Sequence, residues 1–141
     1  MIHEIRIIFG DTDQMGVVYY ANYLRFFESA RAAYWRDLGK SYKDLEGWGV
    51  ALPVVEAHCK YRRPSHYEDL LAVEVDVDEL RGASMRFAYE VRRDGELLAD
   101  GWTRHAVIGT DGKPRGLPKV LRDAISVAPP TGHVSTDDAA R

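Results

Sequence analysis

The longest helical pattern in the chain is YANYLRFFESARAAYWRDLG, residues 20–39. Apolar side chains recur at every third or fourth position over residues 20–38, and Gly39 follows as a residue that favours the end of a helix. Further apolar residues widen this face and reduce the polar stripe to little more than four positions: Arg25, Glu28, Arg36 and Asp37. A helix that is apolar over so much of its circumference is predicted to be buried on several sides.

Strand-like segments account for most of the remaining chain. One segment precedes the helix, at residues 2–9, and four follow it, at 50–61, 70–80, 85–93 and 97–108. The connections between the later segments are short, as at Asp94-Gly95, and short turns require antiparallel neighbours. Short helices are expected at 41–46 and 118–125. The sequence therefore predicts an α+β protein in which a curved, five-stranded antiparallel sheet wraps around one long central helix.

The chain has the length and composition of one globular domain. It has 141 residues, of which 45% are hydrophobic and 29% are charged, and both fractions are typical of folded proteins. Residues 1–126 are predicted to form this domain. Residues 127–141, VAPPTGHVSTDDAAR, are polar and show no periodicity, so we expect them to form a disordered tail.

The net charge, the cysteine content and the absence of long apolar runs limit the kinds of partner and of disulfide or zinc site that the chain can have. The net charge is -3 and no long run of Lys or Arg occurs, which disfavours a nucleic-acid or membrane-surface partner. Cys59 is the single cysteine, so an intramolecular disulfide and a zinc site with two thiolates are excluded. The N-terminus lacks the pattern of a signal peptide, and no apolar run approaches the ~18 residues of a membrane span. We therefore expect a cytoplasmic protein without membrane insertion.

The loop between the first strand and the long helix carries the residues that indicate chemistry. It lies within FGDTDQMGVVYYANY, residues 9–23. Asp13 precedes a helix whose first amide N–H groups have no intrahelical partner, and such donors can polarise a carbonyl group. A carboxylate at this position can attack that carbonyl or take a proton from an attacking water. Asp13 could instead form a turn or a helix cap, and the same role is expected for Asp11.

Two other interpretations of this loop do not fit. A calcium-binding EF-hand that began at Asp11 would need Asp or Asn at its fifth position and Glu at its twelfth, where this chain has Met15 and Asn22. An aspartyl phosphatase needs strands that alternate with helices, whereas here strand follows strand. The histidines form no pair at the spacing of metal ligands, so no metal site is predicted.

Residues 9–23 resemble the signature of the 4-hydroxybenzoyl-CoA thioesterase family, and the acyl-CoA thioesterases of the Tol-Pal gene cluster match equally well. The resemblance continues at 25–31, 81–84 and 115–119 and covers about residues 5–125. It implies the hotdog fold and the hydrolysis of an acyl-CoA thioester, with coenzyme A as part of the substrate and no cofactor. In this interpretation Asp13 is the nucleophile or general base, and the backbone N–H of Tyr20 polarises the thioester carbonyl.

The resemblance also implies a set of substrate-binding residues. Contacts near the carbonyl are assigned to Gly16, Val17, Asn22 and Tyr23, with Glu28 placed to position water, and contacts with the phosphates and pantetheine are assigned to Arg81, Ser84 and Arg115. Each has a structural alternative: Glu28 and the arginines could be solvated charges, and the tyrosines of the cluster Tyr19, Tyr20 and Tyr23 could be core residues. Ala83 stands where the aryl-CoA branch carries a basic residue, which favours the broader acyl-CoA branch.

Two further expectations follow from the resemblance. Hotdog proteins pair into dimers and often into tetramers, so we expect a homodimer or homotetramer with the site at a subunit boundary. A protein of the same fold could also bind acyl-CoA or acyl-carrier protein without catalysis. The presence of Asp13 favours the enzyme, because a binding protein has no need for a carboxylate beside the thioester.

Overall fold

The computed structural model of the protein describes residues 1–40 and 42–129. Most of the predicted tail, from residue 130 onward, and Ser41 of the predicted second helix lie outside the described residues. Residues 127–129 lie beside the sheet, where the Ala128 N–H bonds to the Val77 carbonyl at 2.8 Å. No helix in the described part of the chain has the length and hydropathy needed to cross a membrane.

The described elements form an α+β domain, as predicted. In chain order they are β1 (Ile2–Arg6), α1 (Asn22–Asp37), α2 (Tyr42–Gly47), β2 (Val50–Ala51), β3 (Val54–Tyr61), β4 (Leu70–Leu80), β5 (Ser84–Arg93), β6 (Glu96–Ala106), β7 (Ile108–Gly109) and α3 (Lys119–Ala124). The main sheet has five strands in the order β1-β4-β5-β6-β3, and all of its neighbours are antiparallel. A two-stranded sheet joins β2 to β7.

Three of the predicted strands are shorter than the sequence indicated. The first ends at Arg6 and is followed by a 3-10 turn at Phe9–Asp11. The second divides into β2 and β3 around Pro53, because proline has no N–H to donate to a ladder. The last divides into β6 and β7 at Val107, whose backbone bonds instead to Ala83 and Arg115.

Helix α1 packs against one face of the five-stranded sheet. Phe27 stacks on Tyr89 of β5 with 4.1 Å between the ring centroids. A Cβ at Gly101 of β6 would lie 2.1 Å from the His58 carbonyl oxygen and 3.0 Å from the Phe27 ring, so the close approach of helix and sheet requires glycine there. Eight residues of α1 are buried, as expected for a central helix: Tyr23, Phe26, Phe27, Ala30, Arg31, Ala33, Tyr34 and Trp35.

The buried face of α1 is not quite the one that the spacing predicted. Tyr20 and Leu24 were expected to face the core, but they are 61% and 41% exposed. The reason is that α1 begins at Asn22, so Tyr20 lies in the preceding turn. Phe26 and Trp35, at 1% and 0% exposure, take the central positions instead.

Helix α1 and strand β4 both run along the length of the domain, from one end to the other. The loop end comprises residues 9–21 and the connection between β3 and β4, where the Tyr23 hydroxyl bonds to Ser65 at 2.7 Å. The arginine end comprises residues 81–84 and 115–122, beyond the last residue of β4. Because β4 has 11 residues, the two ends lie about 33 Å apart at the usual rise of an extended strand.

Candidate active site

The loop that carries Asp13 is closed by its own backbone. The Asp13 N–H bonds to the Val17 carbonyl at 2.9 Å, and the Gly16 N–H returns to the Asp13 carbonyl at 3.0 Å. Gly16 has a φ of +80°, a left-handed conformation that glycine adopts without strain. A further bond joins the Val18 N–H to the Ser65 carbonyl at 2.8 Å and fixes the loop to the connection between β3 and β4.

One oxygen of the Asp13 carboxylate is fixed by a hydrogen bond. Its Oδ1 accepts the Met15 N–H at 2.8 Å, which is the turn geometry expected of an aspartate in a loop. Its Oδ2 accepts no hydrogen bond from the described residues, and the side chain is half-buried. The turn-forming role and a chemical role are therefore compatible, because the turn orients one oxygen and leaves the other available.

Asp11 anchors the loop to the helix, in agreement with its predicted role. Its buried carboxylate accepts the Ile8 N–H at 3.0 Å and forms an ion pair with Arg25 of α1. Its carbonyl accepts both the Tyr19 N–H and the Asn22 side-chain amide, each at 2.9 Å. The Asn22 side-chain NH₂ group is thus used within the loop, and the contact of this residue with substrate stays a prediction. The sequence assigns Arg25 only to the polar stripe of the helix, because its pairing with Asp11 depends on how the loop folds back onto α1.

The start of α1 leaves two amide donors without partners. The helical hydrogen bonds begin with the Asn22 N–H, which bonds to the Tyr19 carbonyl at 2.9 Å, and the Tyr23 N–H, which bonds to the Tyr20 carbonyl at 3.2 Å. The N–H groups of Tyr20 and Ala21 bond to no acceptor within the described residues. They lie where the helix dipole favours negative charge, so this turn can stabilise an oxyanion.

Tyrosine side chains surround this turn. Tyr19 and Tyr20 are 44% and 61% exposed, which makes the core alternative wrong for them, whereas Tyr23 is 3% exposed and is a core residue. A hydrogen bond to Tyr20 raises the pKa of Tyr19, and the charge of Asp13 adds to this effect. The antiparallel bridge between Thr12 and Val18 and the bond from the Tyr19 N–H to the Asp11 carbonyl fold the segment that carries Asp13 back along the residues that lead into α1. Tyr61 of β3, which the sequence analysis did not single out, also contacts Tyr20 and Tyr23.

Two other predicted residues lie near this end. Val17 is half-buried and forms an isolated β-bridge with His66, so its backbone belongs to the loop closure. Glu28 lies on an exposed face of α1, and its carboxylate forms no hydrogen bond or ion pair with the described residues. A carboxylate in this position is accessible to water.

The other predicted binding residues assemble at the arginine end. The turn 81–84 closes through a bond of 2.8 Å from the Arg81 N–H to the Ser84 carbonyl. Arg81 is exposed and forms an ion pair with Glu79, while the Arg115 guanidinium donates to the Gly49 carbonyl at 3.2 Å. Arg122, which was not predicted, donates to the Arg81 and Gly82 carbonyls at 3.0 and 3.3 Å. These groups form an exposed cationic surface suited to phosphate.

The structure thus brings the predicted residues together as two groups. The loop end holds Asp13, Gly16, Val17, Tyr20, Asn22 and Tyr23, the arginine end holds Arg81, Ser84 and Arg115, and Glu28 lies on α1 between them. Among the described residues, no group of three or more His, Cys, Asp or Glu side chains could hold a metal ion. Beside the start of α1, the loop offers the Asp13 carboxylate and two amide donors for chemistry.

A sheet that wraps a long helix, with an acidic loop before the start of that helix, defines a protein of the hotdog fold. Residues 7–125 match the model of the thioesterase-like superfamily, and the chain belongs to this superfamily. The family resemblance and the hotdog fold predicted from the sequence are thereby confirmed.

Individual relatives are similar over most of their length. The chain is 34% identical over 122 residues to the acyl-CoA thioesterase YbgC of Haemophilus influenzae, and the alignment covers 85% of this chain and 90% of that protein. It is 32% identical over 126 residues to the 1,4-dihydroxy-2-naphthoyl-CoA hydrolase of Synechococcus elongatus, covering 86% and 91%. The crystal structure of a hypothetical protein from Aquifex aeolicus superimposes with a TM-score of 0.85 at 29% identity, covering 89% and 99%.

Proposed function

We propose that the protein is an acyl-CoA thioesterase, which hydrolyses a thioester to a free carboxylic acid and coenzyme A. One observation carries this proposal: the Asp13 carboxylate lies in a fixed loop beside a helix start where two amide donors lack partners. Membership of the thioesterase-like superfamily and the acyl-CoA substrates named for the relatives support it.

The geometry supports two forms of the reaction. As a general base, the Asp13 carboxylate takes a proton from a water molecule whose oxygen attacks the thioester carbonyl. The C–S bond then breaks, and the thiolate of coenzyme A leaves and takes up a proton. As a nucleophile, Asp13 displaces the thiolate itself and forms a mixed anhydride, which water hydrolyses in a second step. In both forms the Tyr20 N–H stabilises the negative charge on the carbonyl oxygen.

We further propose that one substrate is bound by two protomers. The acid and the cationic surface lie at opposite ends of the domain, so a substrate that contacts both within one protomer would have to run the length of α1. That helix has 16 residues and is about 24 Å long. Contacts from two protomers remove this requirement.

Strand β3 offers the means of pairing. It is an edge strand of the five-stranded sheet, it has eight residues, and an exposed edge of this kind is a site for pairing with another strand. It runs from Val54, which pairs with His105 near the arginine end, to Tyr61 at the loop end. Antiparallel pairing of two β3 strands about a two-fold axis would therefore bring the loop end of one copy beside the arginine end of the other.

The first experiment is to measure thiol release from a panel of coenzyme A esters with a colorimetric thiol reagent. The panel includes 4-hydroxybenzoyl, propionyl, butyryl and palmitoyl esters, so that the preferred ester identifies the acyl group. Burial raises the pKa of the Cys59 thiol to about 12, so the enzyme's own cysteine contributes little to the signal. Asp13→Asn is expected to lower turnover about 10²–10⁴-fold if Asp13 is a general base, and a larger loss would favour the nucleophile.

Asp111→Asn is the matched control, because Asp111 forms the same kind of turn by accepting the Lys113 N–H at 3.0 Å. It should retain turnover. Full activity of Asp13→Asn would rule out the proposed mechanism. Absence of turnover in the wild type, with coenzyme A esters still raising the melting temperature, would instead identify a non-catalytic acyl-CoA-binding protein.

A further inference from the structure

Tyr61 connects the edge strand β3 to the turn that begins α1. Its hydroxyl donates a hydrogen bond of 2.9 Å to the Tyr20 carbonyl. Its ring packs edge-on against the rings of Tyr20 and Tyr23, with centroid separations of 6.2 and 5.3 Å. The side chain is thus held from two directions, although it is 45% exposed.

The bond from Tyr61 falls on the backbone that carries the amide donors. The Tyr20 carbonyl also accepts the Tyr23 N–H at 3.2 Å, so this peptide group is held both from within the helix and, through Tyr61, from the neighbouring sheet. The Tyr20 N–H lies one peptide group earlier and the Ala21 N–H belongs to the same group. Fixing the carbonyl therefore fixes the direction of the Ala21 N–H, which lies in the same plane. The Tyr20 N–H belongs to the preceding peptide group, whose Tyr19 carbonyl accepts the Asn22 N–H at 2.9 Å, so the two bonds together hold both donors.

The surroundings of Tyr61 keep its phenol protonated, so that the hydroxyl can donate a hydrogen bond. Burial and the neighbouring Cys59 raise the pKa of Tyr61, so it stays protonated at all pH values at which a thioester is stable enough to assay. A neutral hydroxyl adds no charge to the site, and its hydrogen atom is directed at the carbonyl. Tyr61 is therefore suited to hold the turn without competing with the amide donors for an oxyanion.

We propose that Tyr61 is a positioning residue of the thioesterase reaction, which acts through the Tyr20 carbonyl to hold the amide donors at the start of α1. This proposal rests on the function proposed above. It predicts that loss of the hydroxyl lowers the rate of the chemical step and leaves substrate binding unchanged, because the hydroxyl bonds to the backbone carbonyl of Tyr20 and Tyr61 is not one of the residues assigned to the phosphates.

Tyr61→Phe removes the hydroxyl and keeps the ring that packs against Tyr20 and Tyr23. We expect kcat to fall about 3–10-fold, the equivalent of one neutral hydrogen bond, with KM unchanged and the melting temperature near that of the wild type. Tyr67→Phe is the control, because Tyr67 is also exposed at the loop end (52%) and its ring packs edge-on against Phe9. It should leave kcat and KM unchanged.

Asp13→Asn is measured in parallel so that the two proposals can fail separately. If Asp13→Asn abolishes thiol release while Tyr61→Phe keeps the wild-type kcat, the role of Tyr61 is overturned and the thioesterase remains. A rise in KM with unchanged kcat, or an equal loss in Tyr67→Phe, would also overturn it. If the wild type releases no thiol from any ester, both proposals fail.

Discussion

At the loop end of the domain, side-chain hydrogen bonds hold the backbone that leads into α1, whereas at the arginine end the guanidinium groups remain exposed to solvent even where they bond to a carbonyl. Asp11, Asn22 and Tyr61 each bond to a peptide group at the loop end, so the backbone around Asp13 is held from several sides. At the other end Arg81 and Arg115 hold one acceptor each and remain accessible. The difference suits the two tasks: a reacting carbonyl needs donors in fixed directions, while a phosphate needs charge that it can reach.

The division of tasks can be tested first at the arginine end. In the double variant Arg81→Ala and Arg115→Ala, we expect KM for a coenzyme A ester to rise about tenfold or more, because each lost guanidinium–phosphate bond weakens binding. The corresponding N-acetylcysteamine thioester carries no phosphate, so its kcat/KM should not change. Steady-state kinetics with both thioesters measure the difference.

Arg36→Ala is the control for loss of positive charge, since Arg36 is exposed on α1 and belongs to neither end group. It should leave both thioesters unaffected. If the double variant lost activity equally with both thioesters, the arginines would support the fold or the chemistry, and the assignment of a phosphate site would be wrong.

The second test asks whether the two ends cooperate across protomers. Asp13→Asn subunits are mixed with subunits of the double arginine variant, so that each mixed dimer has one site with all lesions and one intact site. At substrate concentrations well below KM, where both variants are slow on their own, random assortment then predicts about one quarter of the wild-type activity. If each site lay within one protomer, mixing would restore nothing. Differently tagged subunits, purified as the mixed species, give the clearest measurement.

The smallest effect is expected from a substitution at the start of α1 that removes one of the two amide donors and keeps the other. Ala21 has a φ of -65°, which proline can adopt, and proline is tolerated in the first turn of a helix. Ala21→Pro removes one N–H and leaves that of Tyr20, so kcat should stay close to that of the wild type if Tyr20 supplies the essential donor. A loss that approached that of Asp13→Asn would make the Ala21 N–H the essential donor and the assignment to Tyr20 wrong.

The fold was predictable because it follows from local patterns. The three-to-four spacing in α1, the alternation in β4 and the Asp94-Gly95 turn are each set by neighbours in the sequence. The element boundaries were less accurate: Tyr20 was counted as part of the helix, and Pro53 was not recognised as a break between two strands. These errors arise because periodicity describes a segment and does not say where its hydrogen bonds begin.

The sequence was enough to predict the motif of the candidate site, but not the residues that hold this motif in place. Asp13 could be named because a carboxylate a few residues before a helix is visible in the sequence. Arg25 and Tyr61 could not, since their partners are 14 and 41 residues away and nothing local distinguishes them from a surface arginine and a strand tyrosine. The bond from the Asn22 side chain to the Asp11 carbonyl could not be predicted either, because it depends on how the loop folds back onto the helix start.

The amino-acid sequence alone was sufficient to establish a central helix, an antiparallel sheet around it and an acidic loop before the helix, because these depend on residue spacing and turn chemistry. The separation of Asp13 from Arg81 and Arg115 came only from the folded chain. Those three residues belong to one family pattern in the sequence, but the direction of β4 carries the chain from the loop end to the arginine end. The positions of long-range partners are set by how strands pair, and strand pairing is a property of the whole sheet.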